Sequence, residues 1–338
     1  MTSRKTRILL AAAGCTVIAV AAVLLFTALL PGAGKEYVVK IARGADFAAV
    51  EDSLRLHFGD AYASKVMRLV RLEGFEPEKR HGAYLIAKGM SPLKASLRLS
   101  RGGQYPVRLT INGFRSREDL VRSIASRFDF SPEALDSVLS DRKFLTTYGL
   151  LPSQAMGLFL NDTYEFYWTA SPQSVLTKIG DSYRHFWNPE RTGKARSLGL
   201  TAAEVGIISS ITDEETNVAA EKGQVGRLYI NRLQKGMRLQ ADPTVKFAVG
   251  DFSLKRITSK HLAVNSPYNT YRVNGLPPGA IRTLSRATID SILNSSPSDY
   301  LYMCASPDFS GRHVFARTFE EHKVNADAYR RELDRRGF

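Results

Sequence analysis

The sequence predicts an α+β protein built from an N-terminal transmembrane helix, a small α+β module and a larger α+β domain. The chain has 338 residues, which is too long for one compact core. Short runs rich in β-branched residues alternate with segments whose apolar residues recur at helical spacing. The apolar fraction of 44% and the charged fraction of 24% are typical of folded proteins, so extensive disorder is excluded.

The N-terminal segment predicts a single-pass membrane anchor. Arg4, Lys5 and Arg7 precede an uncharged run over residues 8–30. A helix needs about 20 apolar residues to cross a bilayer, whereas the apolar core of a cleaved signal peptide has about 7–15. Basic residues stay on the cytoplasmic side. We therefore expect residues 1–7 in the cytoplasm and the chain beyond the plasma membrane span in the periplasm. A cleaved signal peptide is the alternative.

The positive net charge of the chain, taken together with its predicted location, indicates which kind of polymer it binds. Lys and Arg number 47 against 33 Asp and Glu, which gives a net charge of +14. Such a surface attracts nucleic acid, anionic lipid or an acidic polymer. Export disfavours nucleic acid and favours the anionic cell wall. Of the two cysteines, Cys15 lies in the predicted span, so Cys304 has no partner for a disulfide or a cysteine-based metal site.

Residues 36–103 are predicted to form the small module. A capping Ser91 precedes Pro92, which suits the first position of a helix, and Gly102 and Gly103 end that helix. The predicted elements are strands at 37–41 and 84–87 and helices at 45–58, 61–72 and 92–100.

Residues 105–338 are predicted to fold as one larger domain, because no long polar linker interrupts them. Ser131-Pro132 and Ser171-Pro172 mark helix starts, and Trp187–Gly199 is polar enough to predict a loop. The other predicted strands are at 105–111, 300–304 and 313–315. The other predicted helices are at 116–128 and 201–222, followed by one that runs through residue 232 and one at the C-terminus.

Consecutive carboxylates near the end of the helix predicted at 201–222 carry the strongest chemical signal. At about 100° per residue, Glu215 falls inside the apolar stripe of this helix. Asp213 points to the opposite side, and Glu214 lies on the margin of the stripe. The stripe consists of Ile207, Ile208, Ile211 and Val218.

Glu215 is therefore the candidate general acid. Glu204 also lies in the stripe, but its capping-box pattern with Thr201 gives it a structural task. Burial raises the pKa of a carboxyl group because the charged form loses hydration. A carboxyl that stays protonated near neutral pH is what a general acid needs. The alternative is a buried structural Glu paired with an arginine.

Two polar loops follow this helix and suit a sugar ligand, since aromatic rings stack on sugar faces and amides bond hydroxyl and acetamido groups. Ordinary turn chemistry is the alternative. No phosphate-binding loop, serine-hydrolase elbow or His-Glu-x-x-His motif is present, so the phosphate, serine-hydrolase and metal sites that these motifs form are not expected. The candidate sugar contacts are Gln240, Asp242, Thr244, Tyr268, Asn269 and Tyr271.

These stretches together resemble the endolytic murein transglycosylase, or YceG-like, family. Order and spacing agree over about residues 105–330. The anchor and the small module also fit the layout of the family, in which that module is LysM-like. The matching segments are 211–216, 229–233, 236–245, 267–271, 275–281 and 313–322.

Two segments depart from the pattern of the family. Its Phe-Pro-Asp-Thr-Tyr stretch is replaced by the sequence Phe-Leu-Asn-Asp-Thr-Tyr at residues 159–164. After Ile281 the family usually has a Pro-Gly pair, whereas this chain reads Arg-Thr-Leu-Ser at 282–285. Both departures concern substrate positioning rather than the reaction.

The resemblance implies a lytic transglycosylase. Glu215, the Glu directly before Thr, would cleave the bond between N-acetylmuramic acid and N-acetylglucosamine in peptidoglycan strands and leave a 1,6-anhydro end. The resemblance implies no cofactor, and it suggests penicillin-binding proteins as partners in limiting strand length. The rival interpretations are a muramidase-type hydrolase with Asp242 as second carboxylate and a non-catalytic, membrane-anchored wall-binding protein.

Overall fold

The structure is a computed structural model that describes residues 13–22 and 35–336. Residues 13–22 are helical. Within these two described ranges, no helix combines the length and the apolar character needed to span a bilayer. The predicted cytoplasmic tail at 1–7 and most of the predicted span at 8–30 lie outside the described residues.

The chain divides into two compact units, and their helices and short sheets confirm the mixed α+β class. The module predicted at 36–103 falls within the first unit. The first unit comprises Met1–Arg108, Arg127–Asp129 and Glu165–Ala170. The second comprises Leu109–Ser126, Phe130–Tyr164 and Ser171–Phe338.

The first unit packs helices against an antiparallel strand pair in which Val39 lies opposite Tyr84. Asp46 caps the first helix by accepting the backbone N–H of Ala49. The hydrophobic core of the first unit includes the fully buried Leu54. The elements are β1 (Tyr37–Ile41), α1 (Phe47–Phe58), α2 (Asp60–Leu72), a 3-10 turn (Pro77–Lys79), β2 (Gly82–Ile86) and α3 (Pro92–Arg101).

The second unit is mostly helical. Strands β3 (Pro106–Ile111) and β4 (Asp162–Tyr167), which pair with each other, have residues in both units. Strands β5 (Tyr302–Ala305) and β6 (His313–Ala316) of the second unit pair antiparallel. Further 3-10 turns cover Pro152–Leu158 and Ala219–Glu221. The helices are α4 (Arg117–Ala125), α5 (Pro132–Ser140), α6 (Arg142–Thr146), α7 (Pro172–Phe186), α8 (Pro189–Ser197), α9 (Ala202–Glu215), α10 (Lys222–Gln234), α11 (Asp242–Val249), α12 (Ser259–Leu262), α13 (Arg286–Leu293) and α14 (Phe319–Arg336).

The loop predicted over Trp187–Gly199 is wrong, because most of it forms α8. The Asn188 side chain accepts the backbone N–H of Arg191 and Pro189 occupies the first helical position, so the start of this helix is well capped. The Arg191 guanidinium also binds Asp290 of α13, at 2.7 and 3.0 Å. These tertiary contacts stabilise the helix. Because the segment is polar, it lacks the periodic apolar residues from which a helix is predicted.

The helix predicted over 201–222 is also too long, because α9 ends at Glu215. Thr216 adopts an extended conformation, and its hydroxyl accepts the backbone N–H of Val218 and donates to the Glu221 carboxylate. These side-chain hydrogen bonds replace the helical ones, and a new helix begins at Lys222. Val218 therefore lies outside the helix and takes no part in the stripe predicted for it.

Helix α9 is the central element of the second unit. Every residue from Val205 to Asp213 is buried, so the helix has no solvent-facing side along this stretch. Asp213, which was predicted to point away from the apolar stripe, is only 7% exposed. Its carboxylate instead pairs with Lys222 and accepts the Thr288 hydroxyl at 2.6 Å.

We expect two helical glycines to respond oppositely to alanine. A Cβ at Gly226 of α10 would lie 2.4 Å from Ile292 of α13, whereas a Cβ at Gly193 of α8 has no neighbour within 4 Å. Gly226→Ala should lower the free energy of unfolding by about 1–3 kcal/mol through overpacking. Gly193→Ala should raise it by about 0.5–1 kcal/mol. Urea unfolding of the full-length variants measures both, and equal effects would contradict this packing.

Candidate active site

Glu215 is the last residue of α9, and its carboxyl is held by a residue of the next helix. The Tyr229 hydroxyl, on α10, donates a 2.7 Å hydrogen bond to Glu215 Oε1. Glu215 is partly buried, and Tyr229 is 1% exposed. One carboxyl oxygen is therefore fixed from inside the protein.

Burial is the main reason why the pKa of Glu215 lies above its usual value. The Tyr229 hydrogen bond works against this increase, because it favours the charged carboxylate. The Asp242 carboxylate raises the pKa further, and the positive charges of His313 and Arg232 lower it. The net effect is a raised pKa, which is the direction that a general acid requires.

The arginine whose charge lowers the pKa of Glu215 makes its hydrogen bonds to other groups. Arg232 is 9% exposed, and its guanidinium donates to the backbone carbonyls of Leu301 and Leu239. The direct partner of the Glu215 carboxyl is a tyrosine hydroxyl. This arrangement argues against the alternative of a structural Glu locked to an arginine. Burial also raises the pKa of Tyr229 well above its usual value, so this tyrosine remains a donor.

The carboxylate next to Glu215 forms ion pairs instead. Glu214 Oε1 accepts Arg115 at 2.8 Å and Arg282 at 2.7 Å. Arg282 belongs to the segment that departs from the pattern of the family, so the departure supplies a local ion pair. Glu214 and Asp213 are thus both neutralised by cations, and Glu215 is the carboxyl of the three with a neutral partner.

A second hydrogen-bond network closes the end of α9. The Glu221 carboxylate accepts the Thr216 hydroxyl and binds both the backbone N–H and the ring Nδ1 of His313, at 2.9 and 2.8 Å. Burial works to raise the pKa of Glu221, but these hydrogen bonds outweigh it and leave the pKa below its usual value. The network joins the residue after Glu215 to strand β6.

The first polar loop places its carboxylate at the surface. Asp242 is exposed, begins α11 and accepts the Tyr271 hydroxyl at 2.6 Å. Gln240 is also exposed, and its φ of 50° is unusual for a residue other than glycine. Such strained backbones cluster at functional sites. Both residues are exposed, and their contact with a sugar stays a prediction.

Two predicted contacts, Thr244 and Asn269, lie inside the protein and hold the loops. Both are 0% exposed. The Thr244 hydroxyl donates to Ala241 O and shares a 2.8 Å hydrogen bond with Thr270. The Asn269 amide donates to Leu262 O and Val264 O. Thr244 therefore joins the two loops, and Asn269 stabilises the conformation of the second loop. Neither side chain faces solvent.

The two tyrosines of the second loop are half-buried. Tyr271 binds Asp242, and burial followed by this hydrogen bond raises its pKa. The ring of Tyr268 packs at 4.6 Å on the ring of Phe247, and burial raises its pKa as well. The structure therefore brings Asp242 and Tyr271 into one hydrogen-bonded pair and places Tyr268 beside α11.

Sequence reasoning missed four side chains that surround Glu215, namely Tyr229, Arg232, Glu221 and His313. Tyr229 and Arg232 lie in one of the matching segments, but nothing in their spacing gave them a role. His313 lies in another matching segment, and Glu221 was placed on a helix that in fact ends earlier. Among the residues that the structure describes, no three His, Cys, Asp or Glu side chains form a cluster suited to a metal ion.

Comparison with known proteins identifies a matching family and several relatives. A family model described as the YceG-like family matches residues 39–328. The endolytic murein transglycosylase of Bacillus subtilis is 36% identical over 122 residues, which cover 36% of this chain and 33% of that protein. The protein of the same name from Streptococcus pneumoniae strain D39 is 30% identical over 134 residues, which cover 38% of this chain and 24% of that protein. The chain thus covers a third or less of these relatives.

A solved structure shares the fold. The crystal structure of a protein described as YceG-like from Listeria monocytogenes matches with a TM-score of 0.54 and 24% sequence identity. The match covers 86% of this chain and 99% of that one. At this identity the likeness concerns the fold alone.

We expect Tyr229→Phe to raise the pKa of Glu215 further. The tyrosine hydroxyl favours the charged carboxylate, so its loss favours the protonated form and moves the titration midpoint to higher pH. Carboxyl ¹³C NMR of the selectively labelled chain measures the midpoint. Tyr62→Phe is the matched control, because its hydroxyl donates to Met90 O in the first unit. A midpoint that is unchanged or lower in Tyr229→Phe would contradict the assigned hydrogen bond.

Proposed function

The chain belongs to the YceG-like family, and from this premise we propose that it is an endolytic lytic transglycosylase of peptidoglycan. The relatives from Bacillus subtilis and Streptococcus pneumoniae carry the name of that activity. The observation that carries the proposal is the Glu215 carboxyl, which is partly buried, raised in pKa and held by a neutral tyrosine. A general acid requires these properties.

In the first step, Glu215 acts as the acid. Tyr229 holds Oε1, so Oε2 carries the proton and delivers it to the oxygen that links N-acetylmuramic acid to N-acetylglucosamine. The bond from the muramic C1 to this oxygen breaks, and the N-acetylglucosamine side leaves as an alcohol. Glu215 becomes a carboxylate, which the Tyr229 hydrogen bond stabilises.

In the second step, the same carboxylate acts as the base. It removes the proton from the muramic C6 hydroxyl, whose oxygen forms a bond to C1 of its own ring. The product is a 1,6-anhydro end, and Glu215 regains its proton. No water is consumed, and one carboxylate suffices because the nucleophile belongs to the substrate. Glycoside hydrolases, in contrast, generally need a pair of carboxylates.

The surrounding loops are proposed to bind the strand. Gln240 and Asp242 are exposed, and Tyr268 and Tyr271 are half-buried, so each offers part of its side chain to a sugar. Cleavage within a strand would set its length, and cell-wall synthases such as penicillin-binding proteins are the expected partners. A single N-terminal membrane helix, a periplasmic catalytic domain and a LysM-like module at 36–103 complete the proposal.

A muramidase-type hydrolase is the second candidate, and one observation favours it. The exposed Asp242 carboxylate is near enough to Glu215 to raise its pKa, so it is available as a second carboxylate. A hydrolase leaves a reducing muramic end, whereas a lytic transglycosylase leaves an anhydro end. The products therefore distinguish the two.

We expect Glu215→Gln to lower the yield of anhydro-ended fragments by at least about 100-fold, because the amide neither donates nor accepts the required proton. The full-length wild type and variant are incubated with purified sacculi, and mass spectrometry identifies the ends. The variant should keep its thermal unfolding temperature, since glutamine has the same size and its side-chain oxygen can still accept the Tyr229 hydrogen bond.

Asp242→Asn is the matched variant for the choice between reactions. A lytic transglycosylase should still form anhydro ends without this carboxylate, although Asp242 supports Tyr271 and its loss should slow the reaction. Reducing ends in the wild type, lost in both variants, would replace the proposal by hydrolysis. Full anhydro yield in Glu215→Gln would refute the role of Glu215.

A further inference from the structure

A pocket in the second unit is lined by residues that include parts of α4 and α11. It has a volume of about 460 Å³, which is within the range of ligand sites. We propose that this pocket is a subsite for a neutral N-acetylated saccharide ring of the glycan strand. The inference rests on the proposed function, since it assigns the pocket to the same substrate. Its wall includes Phe247, Phe252, Tyr268, Arg115, Arg117 and Glu118.

One side of the pocket is aromatic. Phe247 packs against Tyr268 at 4.6 Å and against Phe252 at 6.3 Å. All three rings are half-buried, so each retains solvent-accessible surface. The C–H faces of a pyranose ring are apolar, and rigid aromatic side chains offer contact area at a low entropic cost.

The other side of the pocket is polar but balanced in charge. Arg115 pairs with Glu214 at 2.8 Å, and Arg117 pairs with Asp136 at 2.7 Å. Glu118 adds an exposed carboxylate to the wall. Each guanidinium has five N–H donors, so donors remain for hydroxyl and acetamido oxygens after the ion pair is made. Glu214 also pairs with Arg282, so the carboxylates of Glu214, Asp136 and Glu118 together balance three guanidiniums. The pocket therefore favours a neutral sugar over an acidic stem peptide.

Both sides of the pocket are fastened to the elements that carry the proposed chemistry. Arg115 binds Glu214, the residue before Glu215. Ala280 lines the pocket, and the backbone N–H of the next residue, Ile281, donates to the Ser210 hydroxyl of α9 at 3.1 Å. Phe247 lies on α11, the helix that begins with Asp242. The wall of the pocket is therefore joined to α9 by these hydrogen bonds and includes a residue of α11.

The test uses Phe252→Leu, which keeps apolar volume and removes the ring. Isothermal titration of the full-length Glu215→Gln chain with tetra-N-acetylchitotetraose measures binding of a neutral sugar without turnover. We expect Phe252→Leu to weaken binding by about tenfold, through loss of one aromatic contact. Phe252→Tyr, which retains the ring, should bind normally. Phe319→Leu is the matched control, because Phe319 is 54% exposed, also contacts other rings and is not among the residues lining this pocket.

In the active chain, Phe252→Leu should raise the KM for long glycan strands by about fivefold to tenfold and change kcat less. Equal chitotetraose binding by Phe252→Leu and Phe319→Leu would overturn the subsite, even where Glu215 proves catalytic. Displacement of chitotetraose by free stem peptide would also overturn it, since the pocket would then prefer the acidic part of the substrate. Absence of anhydro ends from the wild type would refute the proposed function while leaving the binding result readable.

Discussion

The hydrogen bond from Tyr229 to Glu215 joins two helices and sets the geometry of the candidate site. Its 2.7 Å length requires α9 to end where Glu215 can turn towards α10, and it requires α10 to start early enough to present Tyr229. Because Tyr229 is buried and its pKa is raised, the donor stays protonated over the whole working range of pH. The orientation of the carboxyl is therefore fixed by a group that carries no charge.

The end of α9 depends on side chains rather than on a glycine stop. Thr216 leaves the helix, and Glu221 then holds both Thr216 and His313. A continuous helix to residue 222 would leave this network unmade and would carry Tyr229 away from its partner. The interruption thus costs helical hydrogen bonds and gains a fixed chain reversal beside Glu215, which is a common compromise at functional sites.

The sequence singles out Glu215 as the candidate general acid, and this role stays a prediction. Ile207, Ile208 and Ile211 are buried as expected, yet the helix is buried all round, so phase alone does not separate Glu215 from Asp213. Local capping signals predicted helix starts well, because the Ser-Pro and Thr-Glu patterns act within one turn. The hydrogen bond between Tyr229 and Glu215 could not be predicted, since it joins two helices and the sequence did not reveal where the first of them ends.

The two segments that depart from the family pattern contact each other, because the Thr283 hydroxyl donates to the Asn161 side chain at 2.8 Å.

A single carboxyl that acts first as acid and then as base needs a pKa that is raised but not extreme. Burial and the Asp242 charge stabilise its protonated form. The Tyr229 hydrogen bond and the charges of His313 and Arg232 stabilise its ionised form. Because catalytic efficiency is greatest when the pKa lies near the working pH, these opposing influences matter more than either one alone. The surroundings of Glu215 thus suit a group that must both release a proton and take one back within one turnover.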